Sequence, residues 1–529
     1  MKRNSHIKIF NSFRKKHAND NITTEAPSNI DLDIDKNIAQ ITNELGNSSD
    51  LEVMHFQTSK SLICALYIKN LVDKTKINAL SSELIKFIEQ NKKNDMNFDI
   101  LKSDLSGLRE SNEGCDFETL YADLLSGNTV FLVDKYGKFF SIAASSDDGR
   151  SIEEPTSQTV IRGPKDGFTE KISNNILLIR KRIKSKFLRV ENLYLGATTR
   201  TSVTLMYIQN IAKEEIVQEV RNRLDKVKID GILESGYIEE LIKDDRYSVF
   251  PTFLNSEKPD SVVAALLEGK IAILVDGTPY VLTVPALMVE FLQSSEDYYH
   301  HFFVSSMMRF IRYVAFFLTL LVPSVFVALT TFHQEMLPTP LLVSIAAQRE
   351  GIPFPALIEA LIMEFTFEIL REAGIRMPRA IGPAISIVGA LVLGQAGVEA
   401  GIISAAMVIV VSLTAIASFA IPNFDMANAV RIVRFVLMLL AGVLGLYGIF
   451  MGLIILTLHL CKMKSVTVPY LGPFGPKIKG GNKDTFFRFP LWTMKYRPAG
   501  IGGSNSVRVD DSDNKDPVSP KQKEKPELR

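Results

Sequence analysis

Cysteine is scarce in this chain, with three among 529 residues, at Cys64, Cys115 and Cys461, far apart and without a CxxC pair. That excludes a disulfide framework or a paired-cysteine metal knuckle, and it suits a reducing compartment for the soluble part. Net charge is also nearly absent, since 60 basic residues face 59 acidic ones. No face or domain is dominated by Lys and Arg, so nucleic-acid binding gains no support. The densest basic run, Arg180, Lys181, Arg182, Lys184, Lys186 and Arg189, reads first as the solvated face of a helix and second as a partner surface. The phosphate-binding GxxxxGK[ST] loop, HExxH, GxSxG and GxGxxG are all missing. The seven histidines, at 6, 17, 55, 300, 301, 333 and 459, show no metal spacing. The expectation is therefore a non-enzyme without cofactor or metal. Residues 1–30 are basic but lack a following apolar core. They read as a flexible terminus rather than a signal peptide, which places the soluble domain on the cytoplasmic side.

Charge is missing in a different way from the C-terminal half. No charged residue occurs between Arg312 and Glu335, Arg379 and Glu399, Glu399 and Asp425, or Arg434 and Lys462. Each gap reaches or passes the roughly 18–20 residues that cross a bilayer, so four spans are expected within 296–464. Buried soluble helices usually keep a polar face. A fifth apolar segment, 353–374, carries Glu359, Glu364 and Glu368. Each carboxylate costs roughly 2.5–3.5 kcal/mol at mid-membrane, so this helix is expected inside a bundle or at the interface. Glu364 and Glu368, one turn apart, share a face; pairing with arginines such as Arg376 or Arg379 is one reading of them, and cation attraction near a pore is the other. Counting four spans keeps the C-terminal tail beside the soluble domain; counting five sends it across. The sequence is compatible with both.

Gly442, Gly445, Gly448 and Gly452 mark a close helix approach. Packing within the chain is one reading; a subunit contact or a pore wall is the other. A pore would want a narrow apolar stretch and polar groups that replace hydration. In the expected span Ile381–Val398, Val388 and Val392 could form the constriction, with Gln395 about two turns along and Glu399 at the mouth. Tyr298, Tyr299, His300, His301, Phe302 and Phe303 read as an interfacial aromatic belt.

The N-terminal half contains a repeat. Tyr67-Ile68-Lys69-Asn70-Leu71 recurs as Tyr207-Ile208-Gln209-Asn210-Ile211, and Leu124-Leu125-Ser126-Gly127 recurs as Leu266-Leu267-Glu268-Gly269. Leu132-Val133-Asp134 and Leu274-Val275-Asp276 follow in the same order. The expected fold is an α/β soluble domain of two duplicated lobes, 31–150 and 186–295, followed by an α-helical multi-span membrane domain. Ile34, Ile38, Ile41 and Leu45 form a helical stripe, and Ile77, Leu80, Leu84, Ile85 and Ile88 another. The connector, 151–185, holds Glu153, Glu154, Arg162, Asp166 and Glu170. It reads as a linker by default, with a clamp or a ligand loop as alternatives. A peripheral or cytoplasmic segment, 465–500, precedes a disordered tail, 501–529.

Two blocks carry a family resemblance. PFPALIEALIMEFTFEILREAGIRMPRAIGPAISIVGALVLGQAGVEAGIIS (353–404) and RSIEEPTSQTVIRGPKDGFTE followed by LIRKRIKS resemble the A subunit of the spore germination nutrient-receptor family. Pro469-Tyr470-Leu471, Pro473, Arg488 and Pro490 fit as well. The resemblance implies a membrane subunit in the inner membrane of bacterial endospores. It implies a transporter-like B subunit and a lipoprotein C subunit as partners, nutrients as the trigger, and oligomerisation into a cation-release channel. A non-conducting scaffold that couples a nutrient-binding partner to a separate channel, or a germination-amplifying paralogue, is the alternative. The expected contacts are copies of itself, those subunits and membrane lipid, with no nucleic acid.

Overall fold

The computed structural model describes residues 29–58, 61–91, 97–107, 109–146, 154–155, 158, 160–376, 394–476, 483–498, 500–503 and 505–508. The chain divides into two compact units, one comprising Met1–Ser151 with Ser173–Glu191 and the other Ile152–Ile172 with Asn192–Arg529.

In the first unit, helix α1 (Ile34–Glu44) precedes β1 (Leu51–Gln57) and β2 (Leu62–Ile68). Then come α2 (Lys74–Gln90), α3 (Phe98–Ser106), β3 (Ser111–Gly114), α4 (Phe117–Leu125), β4 (Asn128–Val133) and β5 (Phe139–Ala143). The strands form one sheet in the order β1-β2-β4-β5-β3, antiparallel throughout. Its faces follow the two-residue period of a strand. Cys64, Leu66, Val130 and Leu132 meet α1 and α4 on one side. Ile63, Ala65, Phe131 and Val133 meet Ile77, Leu80 and Leu84 of α2 and Leu101 of α3 on the other. Ile85, expected in the α2 stripe, is exposed.

The second repeat runs α5 (Ile172–Arg182), β6 (Leu188–Leu195), β7 (Thr201–Ile208), α6 (Glu214–Asp225), α7 (Ser235–Ile242), β8 (Leu254–Ser256), α8 (Pro259–Leu267), β9 (Ile271–Val275) and β10 (Val281–Val284). Its sheet order, β6-β7-β9-β10-β8, matches the first strand for strand. The register matches too: Ile63 faces Val133 as Val203 faces Val275. Asp134 N donates to Leu62 O, and Asp276 N donates to Ser202 O. The repeated glycine has a physical cause. Gly127 (φ +92°) and Gly269 (φ +95°) end α4 and α8 in a backbone region that side chains rarely enter. A Cβ there would lie 3.1 Å from Leu71 O and 2.7 Å from Ile211 O respectively.

The expected connector, 151–185, is corrected by α5, which precedes the second sheet in the chain as α1 precedes the first and packs within the first unit. Both carry Ile-x-x-Asn-Ile-x-x-Ile, with Asn37 and Asn175 buried. The basic run is corrected as well. Lys181, Arg182 and Lys184 are exposed, but Arg180 and Arg189 are buried. Arg180 Nε lies 2.9 Å from Asp50 Oδ2, so α5 packs its arginine inward.

The C-terminal segment replaces a piece of the second lobe. In the first repeat Val72 bridges Ser145, and Ser146 N donates to Leu71 O. In the second, Ala212 bridges Gly502 and Gly503 N donates to Ile211 O, while Lys213 Nζ donates to Gly500 O. The chain after β10 turns toward the helical region, so residues 500–503 fill the position that 144–146 fill in the first lobe. The expectation of a disordered tail from 501 is corrected at this contact, where Ile501 is buried.

The helical region holds α9 (Phe302–Thr331), α10 (Thr339–Arg349), α11 (Ala356–Arg376), α12 (Ala405–Phe419), α13 (Phe424–Leu444) and α14 (Leu446–Lys462). Among the described residues, α9 and α13 are long and apolar enough to cross a bilayer, while α12 and α14 are shorter apolar helices. The expected span Arg434–Lys462 is thus corrected: Gly445, at φ +60°, divides it, and Arg434 lies within α13. The segment Arg312–Glu335 is also revised, because α9 starts at Phe302 and includes Arg309 and Arg312. Of Ile381–Val398, only 394–398 fall within the described residues.

The helices share two apolar layers. One holds Phe250 and Phe291 of the second lobe with Tyr313, Leu320, Ile421, Met426 and Leu460. The other holds Val327, Ala360, Met407, Ala441 and Ile449. Helices α9 and α13 therefore run away from the second lobe, and α12 and α14 run back. Ser465 Oγ, just past α14, donates to Thr252 O and accepts from Ala286 N. The chain enters and leaves the helical region at the second lobe, so any crossing is matched by a return. The tail that follows α14 therefore lies beside the second lobe.

Outside these layers the helices are apolar toward their surroundings. Phe317, Ile409, Ile416, Phe419, Val443 and Ile454 are exposed on α9, α12, α13 and α14, and exposed apolar surface on this scale is unusual for a water-soluble protein.

Candidate charge ladder between helices

Helix α11 turns Glu359 and Glu364 fully, and Glu368 partly, into the bundle. Leu357 packs on Gly442, and the Arg371 guanidinium lies 5.7 Å from the Phe424 ring centroid, so α11 and α13 run antiparallel. Glu364 and Glu368, at i and i+4, therefore meet Arg434 and Arg431, at i+3 and i. Arg434 Nη2 lies 2.5 Å from Glu364 Oε2 and 3.6 Å from Glu368 Oε1. Arg431 Nε reaches Glu368 Oε1 at 2.7 Å, and Arg371 Nε is 3.5 Å from Glu368 Oε2. Glu364 is 1% exposed and Arg434 2%. Arg434 lies about 15 Å from either end of α13 at 1.5 Å per residue. The charges are thus at mid-height, and the pairing is incomplete: Glu364 Oε1 and Arg434 Nε have no hydrogen-bond partner among the described residues.

Glu359 is held separately. Its Oε1 accepts from Ser404 N at 2.6 Å and from Ser404 Oγ. Ser404 caps α12, so the carboxylate faces the positive end of a helix. Arg349 Nε lies 3.6 Å from Glu359 Oε2.

Glu359 and Glu364 are buried and Glu368 is half-buried, and the expected ionic partners are corrected. Arg376 is exposed and pairs with Glu372 on its own helix, and Arg379 is outside the described residues. The arginines that matter come from α13, 63 to 70 residues away in sequence, beyond the reach of helical periodicity. Gln395 and Glu399 are exposed and bonded to each other, Nε2 to Oε1, at 2.9 Å. Val388 and Val392 lie outside the described residues. The connector candidates do not converge. Glu153 is outside the described residues; Glu154 pairs with Lys165 at 3.4 Å; Arg162 is exposed. Asp166 is half-buried, and Glu170 is exposed, with its carbonyl accepting from Gly277 N. The glycines pack within the chain: Gly448 against Leu440 and Gly452 against Leu437.

A second ionic knot fixes the base of α9. Arg309 Nε donates to Asp297 Oδ2 at 2.8 Å and its Nη1 to Asp484 Oδ1 at 2.6 Å, while Arg312 Nη1 donates to Asp297. Burial, and then the Asp484 charge, push the Tyr298 phenol above its ordinary range, so it stays protonated and donates to Asp484.

Comparison with known proteins now decides the family. A family model described as Bacillus/Clostridium GerA spore germination protein matches residues 39–500. The chain belongs to the GerA family. It is 44% identical over 500 residues to Spore germination protein KA of Bacillus subtilis (strain 168), covering 94% of this chain and 91% of that one. It is 47% identical over 401 residues to the Uncharacterized membrane protein YfkQ of the same organism, covering 75% and 78%. Among solved structures it is similar to the N-terminal domain of the A subunit of the Bacillus megaterium spore germinant receptor GerK3. That likeness has 34% identity and a TM-score of 0.41, and covers 50% of this chain and 99% of that one. The GerA match runs through both repeats, the charge ladder and the tail up to residue 500.

Proposed function

We propose that this GerA protein is a multi-spanning subunit of a germinant receptor in the inner membrane of the endospore, with its soluble lobes on the cytoplasmic side. It assembles with copies of itself, a transporter-like B subunit and a lipoprotein C subunit, and a nutrient signal opens a path for monovalent cations. Helices α9, α12, α13 and α14 cross the bilayer in this reading. The observation that supports it is the charge ladder at mid-height. Buried ion pairs give little net stability over apolar packing, and ionisable groups inside a membrane are expensive and functional by default. Glu364, Glu368, Arg431 and Arg434 tie α11 to α13 at mid-height by charge, beside the apolar contact of Leu357 with Gly442. Val388, Val392, Gln395 and Glu399 serve as the constriction and its mouth.

The test is potassium efflux from spores carrying Glu364→Gln, Glu368→Gln or Val392→Ala, with protein abundance measured alongside. Altered resting leak or triggered efflux at normal abundance is expected. Unchanged efflux in all three, at normal abundance, rejects the reading. A second reading, a non-conducting coupling subunit, is favoured by Gly448 and Gly452, whose small faces are filled by the chain's own leucines. Cation flux through vesicles holding the purified chain alone separates the two.

A further inference from the structure

The segment Lys483–Pro498 has an inverted exposure pattern. Thr485, Arg488 and Met494 are buried, whereas Phe486, Phe487, Phe489, Leu491 and Trp492 are exposed, Trp492 at 60%. A surface segment facing water would place its arginine outward and its aromatic rings inward. Here the polar groups do the docking. Ser306 Oγ donates to Arg488 O at 3.0 Å and accepts from Arg488 N at 3.2 Å. Arg488 Nη1 donates to His300 O at 3.2 Å, and Gln293 Nε2 donates to Asp484 O at 2.6 Å.

These bonds fix the height of the segment along α9. The Trp492 ring meets Phe302 at 5.9 Å, and the Phe486 ring meets Tyr313 at 4.6 Å. Phe302 to Tyr313 is roughly 16 Å of helix at 1.5 Å per residue. Arg312, the last charged residue of α9, lies at the deep end of that interval. Beside it α9 exposes Phe303, Met307, Phe310 and Val314, so the aromatic rings of the tail continue the apolar belt of the helix.

We propose that residues 485–494 are an interfacial membrane anchor, with Phe486, Phe487, Phe489, Leu491 and Trp492 seated at the boundary between lipid headgroups and acyl chains. Aromatic side chains favour that boundary, and a segment with one apolar face lies in its plane without crossing. The proposal rests on the membrane reading above.

Trp492 is the chain's only tryptophan, which makes it a site-specific probe. The full chain is reconstituted into phosphatidylcholine–phosphatidylglycerol vesicles whose acyl chains carry bromine close to the headgroup. The expected result is that Trp492 emission is blue-shifted, loses most of its intensity to the brominated lipid and is little affected by aqueous iodide. Strong iodide quenching without bromine quenching places the segment in water and overturns the anchor. Protection from both quenchers places it against another protein surface and overturns it equally. A Trp492→Phe, Phe450→Trp variant, with its tryptophan at an exposed position of α14, serves as the reference. Bromine quenching of that variant but not of Trp492 rejects the anchor while leaving the spans intact; quenching of neither rejects both.

Discussion

Arg180 and Asp50, 130 residues apart, form a two-point ion pair in the buried interior of the first unit, Nε to Oδ2 at 2.9 Å and Nη2 to Oδ1 at 3.1 Å. Ser48 Oγ donates to the same carboxylate at 2.7 Å. The arginine belongs to α5 and the aspartate immediately precedes β1, so the pair fastens the opening helix of one repeat to the sheet of the other.

Removing one member strands the other. Arg180→Ala is expected to lower stability by about 3–5 kcal/mol, measured by denaturant unfolding of the purified chain. An Arg180→Met, Asp50→Leu pair of substitutions should recover most of that loss, because an apolar pair leaves no buried charge.

Gly269→Ala should destabilise the second lobe by roughly 1–3 kcal/mol, since a Cβ would meet Ile211 O at 2.7 Å in a positive-φ turn. Ending the chain at Pro498 should loosen the same place from the other side. Hydrogen exchange around Ile211 and Gly269 is expected to accelerate in both variants, with the equivalent turn at Gly127 unaffected.

Glu239, on α7, supplies a pH signature. Burial, reinforced by the Asp425 charge, pushes its carboxyl from an ordinary 4.5 to about 7. The folded state therefore holds this proton more tightly than the unfolded one. The contribution to stability is present below about pH 4.5 and is lost as pH rises toward 7. Thermal unfolding across that window should decline less steeply for Glu239→Gln than for the parent chain.

Substitutions in the ladder between α11 and α13 test the proposed gating role separately from folding. Arg434→Met alone leaves Glu364 buried beside an apolar side chain, at a cost of about 3–5 kcal/mol, and should reduce the protein's abundance in spore membranes. Glu364→Met combined with Arg434→Met should restore abundance while leaving nutrient-triggered potassium release altered. Restoration of both would assign the pair to packing.

The duplication was legible because its repeated words are structural. Leu-Leu-x-Gly marks a helix end that only glycine can turn, and Leu-Val-Asp marks the strand whose last amide closes onto β2 or β7. The equivalence of α1 and α5 is also written, as Ile-x-x-Asn-Ile-x-x-Ile, but the run Arg180–Arg189 beside it gives α5 a basic end that α1 lacks. The acidic positions of α11 were visible as a conflict with hydrocarbon. Their partners were not, because the pairing of Glu364 with Arg434 depends on two helices running antiparallel. Hydropathy suggested one long span where Gly445 makes two helices, since a break of a single residue barely alters a window average.

The tail that completes the second lobe also imposes an order of assembly. Lys213 waits for a carbonyl that lies 287 residues later. Every helix from α9 to α14 is translated before that carbonyl exists. The first lobe can close while the chain is still short, whereas the second stays open at Ile211 until the helical region has been made and the terminus has come back. Synthesis that stalls, or a helix that fails to return, leaves this lobe unsealed and distinguishable to a protease from a finished molecule.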